Sequence, residues 1–243
     1  MIGTAQKPPA DAVDGIMEKE NIMTRLEELR AKNPHIQIYS VCDDEFLPYG
    51  RVIVDDFSAM SEMVKKAAPM PEEGSRYVTA LREIDEMPEA QIYRELYCGQ
   101  LDEQWGLCWG HNSFMNALEW HTCNEFNLGV TDLVLLLAKR GDIGKDGKLD
   151  ANKVRAFYLP EGLMIEVYSD SLHFAPCEVS KDGFWCVVGL QRGTNEKLDP
   201  DMKKDLLVTA KNKWLIAHED TPMAQSGVFP GIYGENWEIK TID

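Results

Sequence analysis

The rhythm of apolar and polar positions changes near Gln91. Before that point it is mixed. Ile22, Leu26 and Leu29 recur at helical spacing and predict a helix that starts at Met17 or Asn21 and stops at Asn33-Pro34. Residues 36–41 alternate apolar and polar, as a short strand does, and residues 51–54 read as another. Residues 57–68 are helical again, with Asp56 or Ser58 placed to cap the first turn. Glu83, Asp85, Glu86 and Glu89 predict a solvated edge. Residues 1–16, with Gly3, Pro8-Pro9 and Gly15, read as a loose leader.

After Gln91, short β-rich runs follow one another between turn signals. These include Gly110-His111-Asn112-Ser113, Asn127-Leu128-Gly129, Pro160-Glu161-Gly162, Lys181-Asp182-Gly183 and Arg192-Gly193-Thr194-Asn195. A spacing of roughly 8–18 residues predicts an antiparallel β-sandwich or barrel. Residues 130–138 and 183–190 are apolar enough to be its central strands. The domain reading is a mainly β chain: a flexible leader at 1–16, an α/β N-terminal extension at 17–90, and a β-barrel at 91–243 on which the extension packs. A length of 243 residues suits one such unit.

Composition narrows the function. With 44% apolar and 27% charged residues the chain has the makings of a packed core. No apolar run approaches the roughly 20 residues of a membrane span, and no basic-then-apolar leader predicts secretion. A net charge of −16 repels a phosphate backbone, so nucleic acid is not an expected partner. Six cysteines without a CxxC pair predict reduced, mostly buried thiols and a cytoplasmic location.

The stretch from Asn116 to Glu125 carries the chemistry. On a strand Glu119 and His121 share a face, and Glu125 keeps the same parity four residues later. Two carboxylates gathered inside a β-barrel repel each other and are costly to bury; a divalent cation relieves both problems. His173, between Leu172 and Phe174, is the natural fourth ligand. The competing readings are an ion-pair network at the barrel mouth and a hydrogen-bonded core histidine. Hard oxygen with borderline nitrogen suits Mn, Zn, Fe or Co as the divalent metal, with positions left open for substrate.

Glu119-x-His121-x3-Glu125, followed by Pro160-x-Gly162, resembles the two-motif signature of the cupin superfamily. Glu119 stands where that signature has its first histidine. Ile165 stands three residues after Gly162, where a ligand would fall, which throws the fourth position onto His173. The phrases around Asn116–His121, Leu172–Cys177, Gly193–Asn195 and Lys211–His218 resemble the bacterial DUF4867 domain family from about residue 36 onward. The resemblance implies a cupin-type antiparallel β-barrel (a double-stranded β-helix, or jelly roll) and a bound metal.

Other residues enter as secondary candidates. Glu166 could serve as general base or replace His173, and Lys213 could balance charge as a catalytic partner. His111 could gate the barrel mouth. Arg192 and Asn195 lie in a turn suited to an anion, and Lys211 shares a predicted strand face with Lys213. Cys123 and Cys177 read as packing residues. Together these features and the resemblance imply a metal-dependent isomerase, epimerase or lyase working on a sugar or hydroxy/keto acid through an enediolate. The alternatives are a metal-dependent dioxygenase and a non-catalytic cupin that binds a small ligand. The N-terminal extension could also pair two copies into a homodimer.

Overall fold

A computed structural model describes residues 19–201 and 205–243, with side chains from Thr24 onward. The leader expected at 1–16 lies outside the described residues. Helix α1 (Lys19–Lys32) leads into β1 (Ile38–Ser40), β2 (Gly50–Ile53), α2 (Ser58–Ala67) and β3 (Ser75–Val78). Two short helices follow, α3 (Arg82–Asp85) and α4 (Pro88–Leu96). The β-rich part then gives β4 (Glu103–Gly110), β5 (Ala117–Trp120), β6 (Glu125–Gly129), β7 (Leu133–Lys139) and β8 (Leu149–Asp150). It continues through β9 (Arg155–Leu159), β10 (Met164–Val167), β11 (Ser171–Leu172), β12 (Cys177–Glu178) and β13 (Phe184–Gln191). Strands β14 (Val208–Ala210) and β15 (Lys213–Ala217), helix α5 (Pro222–Gln225) and β16 (Ile232–Tyr233) complete the chain.

The strands assemble mainly into two sheets. One has the order β1-β9-β7-β11, with β12 also on β7; the other runs β2-β10-β6-β13-β4-β3. A third, small sheet is β14-β15-β5. Strand alternation explains how the large sheets stack. Leu133, Leu135 and Leu137 of β7 meet Ile165 and Val167 of β10 and Phe184, Cys186 and Val188 of β13 in one core. The intervening Val134, Leu136 and Ala138 turn the other way, onto Leu26 and Leu29 of α1. Leu128, Met164 and Val187 likewise turn away, onto Met60 and Val64 of α2 and Ala90 and Tyr93 of α4. Both faces of both sheets are therefore covered. That is why β7 reads as an unbroken apolar run instead of an alternating one.

The two strands expected to be central, at 130–138 and 183–190, lie inside their sheets as β7 and β13. The N-terminal region differs from the expected arrangement. Its strands belong to the sheets: β1 pairs in parallel with β9, while β2 and β3 pair with β10 and β4 at the two edges of the larger sheet. Ladder pairing thus crosses residue 90. Among the described residues the two large sheets face each other and stay open, and no ladder closes into a barrel. The N-cap of α2 is Phe57, between the two expected positions and without a side-chain cap bond, while Asp56 Oδ1 accepts from the Ser58 amide at 3.0 Å. Asp85 also departs from the solvated edge: Arg94 and Arg192 both bind its carboxylate. No helix of the described residues is long and apolar enough to cross a membrane.

Candidate metal centre

Strand β5 pairs with β15, and Leu118 and Trp120 fill the core under α1. Glu119 must then face the opposite way, and His121, just beyond the strand, keeps its side. The next few residues carry the chain from the small sheet to the six-stranded one, where Glu125 opens β6. There it stands opposite Val167, which points into the core between the sheets. His173 follows β11 and is stitched to Glu119 by reciprocal backbone hydrogen bonds, Glu119 N to His173 O at 2.7 Å and His173 N to Glu119 O at 2.9 Å. Segments far apart in sequence thus converge on one buried point.

The four side chains are nearly sealed from solvent, His121 at 1% exposure and Glu119 at 8%. Glu119, His121 and His173 offer ligand atoms all within 4.8 Å of one another. Donors on opposite sides of an ion at ~2.1 Å stand about 4.2 Å apart, so this spacing is close to a coordination sphere. Glu125 lies between the imidazoles, its Oε2 at 3.0 Å from His173 Nε2 and 3.4 Å from His121 Nε2. Each ring is oriented through its other nitrogen. His121 Nδ1 bonds Asn212 O at 2.7 Å and His173 Nδ1 bonds Ser171 O at 3.1 Å. Carbonyls can only accept, so Nδ1 carries the hydrogen and Nε2 faces the cluster, the arrangement typical of metal-bound histidine. His121 Nε2 is buried and makes no hydrogen bond.

The electrostatics show how strongly the cluster wants positive charge. Burial disfavours ionised Glu119, yet the Lys213 ammonium and His121 outweigh it and hold the carboxyl down at about 2. Burial also opposes ionised Glu125, and His173 and His121 overcome it, leaving this carboxyl well below the usual range. For His121 burial disfavours the imidazolium, but Glu119 and Glu125 raise it to about 10; His173 is raised against its own burial chiefly by Glu125. Protons occupy the role that a cation would fill.

A cavity of about 190 Å³ opens beside the cluster, lined by Glu119, Glu125, His173, Lys213, Phe174 and Asn195 among others. Lys213 lies against Glu119 and over the Phe174 ring. Asn195 also reaches this cavity. Four other sequence candidates do not. Glu166 shares the outer face of β10 with Met164, because Ile165 and Val167 take the inner one; there Arg51 and Asn124 bind its two oxygens. Arg192 is engaged by Asp85 and Asp102. Lys211 pairs with the exposed Glu196, since Asn212 adopts φ 54° in the β14–β15 turn and breaks the alternation that would align Lys211 with Lys213. His111 pairs with Glu178 at 2.7 Å, away from the cluster.

Sequence reasoning missed three contributors. Asn127 donates to Glu125 Oε1 at 2.8 Å, Asn212 supplies the carbonyl that aims His121, and Tyr77 OH accepts from Asn195 at 3.0 Å. The Lys-Asn-Lys turn was a legible signal for Asn212, because asparagine tolerates positive φ. Nothing local marked Tyr77, whose edge strand meets Cys108 only through long-range pairing.

The sequence matches the model of a family described as "Domain of unknown function (DUF4867)" over residues 38–237. No curated protein sequence matches it. Among solved structures, similar chains include an oxalate decarboxylase studied for proton-coupled electron transfer, with 14% identity and a TM-score of 0.31 over 50% of this chain and 26% of that one. Another is the Bacillus subtilis oxalate decarboxylase, described for its Mn(II) centers, at 11% identity and TM-score 0.31 over 53% and 28% of the two chains. The chain spans about a quarter of the length of these structures.

Proposed function

The chain belongs to the DUF4867 family. We propose that its clustered Glu119, His121 and His173, with Glu125 beside both imidazoles as the fourth ligand, bind a divalent metal of the Mn, Zn, Fe or Co type in a cupin-type jelly roll. We read the site as that of an isomerase, epimerase or lyase for a small sugar or hydroxy/keto acid. The observation that carries this reading is His121 Nε2, a buried nitrogen aimed inward by Asn212 O and left without a hydrogen-bond partner. The donor set fits such an ion: two carboxylates and two imidazoles mix hard and borderline ligands, and Lys213 balances only one of the two acidic charges.

A bound divalent ion supplies Lewis acidity toward adjacent oxygens of a hydroxy-carbonyl compound. The protein supplies the rest. Asn212 O and Ser171 O fix the imidazoles, and Asn127 holds Glu125 Oε1. Lys213 keeps Glu119 ionised and leaves an ammonium in the cavity wall. Phe174 gives that wall an apolar face. With Glu166 turned to the other side of β10, this reading assigns the general base to Glu125.

One observation favours a second reading. Glu125 is held well below the usual carboxylate range, and Lys213 is committed to Glu119, so each base in the cavity is already engaged. A small-ligand-binding protein without catalysis fits that arrangement. The experiment is elemental analysis and metal titration of the purified chain, followed by incubation with Mn²⁺ and aldose or ketose sugars in deuterated water. The expected result is one metal per chain and deuterium at the carbon beside the carbonyl. Ligand binding without exchange supports the second reading, and oxygen consumption points to a dioxygenase. Absence of bound metal, or equal binding by Glu119→Gln and His121→Ala, overturns the metal site.

A further inference from the structure

Glu119 and Glu125 are the carboxylates that border the cavity, and Lys213 and Arg76 are its bases. The two bases offset the two acids, so a divalent ion held by the carboxylates would keep its own charge uncompensated. Uncompensated charge beside a buried centre is costly, and an anionic ligand relieves it.

The hydrogen-bond donors point the same way. Lys213 carries three hydrogens on Nζ, and Glu119 is the carboxylate paired with it. Its ammonium also lies over the Phe174 ring, 5.8 Å from the centroid, in the cavity wall. Tyr77 stands opposite Cys108 on the β3–β4 ladder, and Cys108 belongs to the core between the large sheets. That register turns the phenol inward, where it lines the cavity. Its oxygen accepts from Asn195 Nδ2 at 3.0 Å. A phenol keeps its proton at neutral pH, and this proton has no acceptor among the described residues. Arg76, which is exposed, likewise pairs with no carboxylate among them. In a chain of net charge −16, spare donors and a free base around one cavity call for acceptors that carry negative charge. A carboxylate supplies them. The cavity volume of about 190 Å³ equals roughly six waters at ~30 Å³ each, which limits the ligand to a small molecule.

We propose that the ligand is a small carboxylate, namely a hydroxy, keto or sugar acid, and that Tyr77 and Lys213 donate hydrogen bonds to its carboxylate group. The inference narrows the substrate class of the metal-site reading and rests on it.

Calorimetric titration of the full chain with Mn²⁺ present tests it on matched pairs: D-glucuronate against D-glucose, D-glycerate against glycerol, and pyruvate against hydroxyacetone. In at least one pair the acid is expected to bind about tenfold or more tightly than its neutral partner. Tyr77→Phe removes only the hydroxyl and should cut that preference by about tenfold. Lys213→Met should abolish it. A general loss of packing weakens acid and neutral partner alike, so the ratio between them reports the carboxylate contact alone. Equal binding within every pair, a preference that survives in both variants, or tighter binding of D-glucose 6-phosphate than of D-glucuronate would overturn the proposal. Metal content measured on the same samples separates the two failures. A chain that holds its metal and yet gives one of those results loses only the carboxylate assignment, whereas a chain without metal loses the centre itself.

Discussion

Glu125 and Glu166 stand one rung apart on neighbouring strands of the six-stranded sheet, and they face opposite ways. Both are buried carboxylates, at 6% and 7% exposure. On the outer face Glu166 is complete: Arg51 binds one oxygen and Asn124 the other at 2.7 Å. On the inner face Glu125 meets two imidazoles, and the group next to it, His121 Nε2, has no hydrogen bond. The contrast teaches that burial of charge does not distinguish a site from a structural ion pair. An unfilled requirement does.

The comparison is broken most readily by substitution on the inner face. His121→Ala or Glu119→Gln should lower divalent-metal affinity by on the order of a hundredfold or more, read by titration with Mn²⁺ or Zn²⁺. The pH dependence comes next. A metal must displace the proton from each imidazole, so affinity should climb by up to about tenfold per proton per pH unit. For His121 the climb should level off only near pH 10, where its raised pKa lies. Proton release, seen as a buffer-dependent binding heat, checks the sign; affinity that falls with rising pH contradicts it.

A third acid sharpens the contrast. Glu103 Oε2 is also buried without a partner, and it lies outside the cavity. Burial, with Asp102 adding to it, raises this carboxyl to about 7, so it meets its need by taking a proton. Its folded pKa exceeds the reference 4.5, so the folded chain binds more protons across that window. Stability should therefore fall as pH rises from 4.5 to about 7, by on the order of 3 kcal/mol in total. Glu103→Gln should flatten that slope and stabilise the protein at pH 8, as thermal unfolding would report. The smallest effect belongs to the outer face. Glu166→Gln should cost about 1 kcal/mol of stability, because Arg51 is half exposed, and should leave metal affinity unchanged within about twofold.

The same contrast explains what could be read from sequence. Strand parity placed Glu119 and His121 on one side, and the apolar runs at 130–138 and 183–190 marked the centres of the sheets. Parity also implied that Ile165 and Glu166 part company, but which of them faces inward depends on what covers β10, namely Met60 and Tyr93 from helices distant in sequence. Arg51 became the partner of Glu166 only through β2–β10 pairing. Residues 38–78 looked like an appendage because strands of 3–4 residues carry little periodicity, and long-range pairing alone reveals them as sheet edges. Lys211 and Lys213 were misaligned by Asn212, where one left-handed residue resets the alternation.

Anomalous X-ray diffraction from crystals grown with Mn²⁺ or Zn²⁺ examines the central claim most directly. One strong peak is expected within about 2.0–2.3 Å of His121 Nε2, His173 Nε2 and one oxygen each of Glu119 and Glu125. A soaked crystal whose only peaks lie at surface carboxylates, with Glu119 still against Lys213 and His121 Nε2 still unligated, would contradict the account.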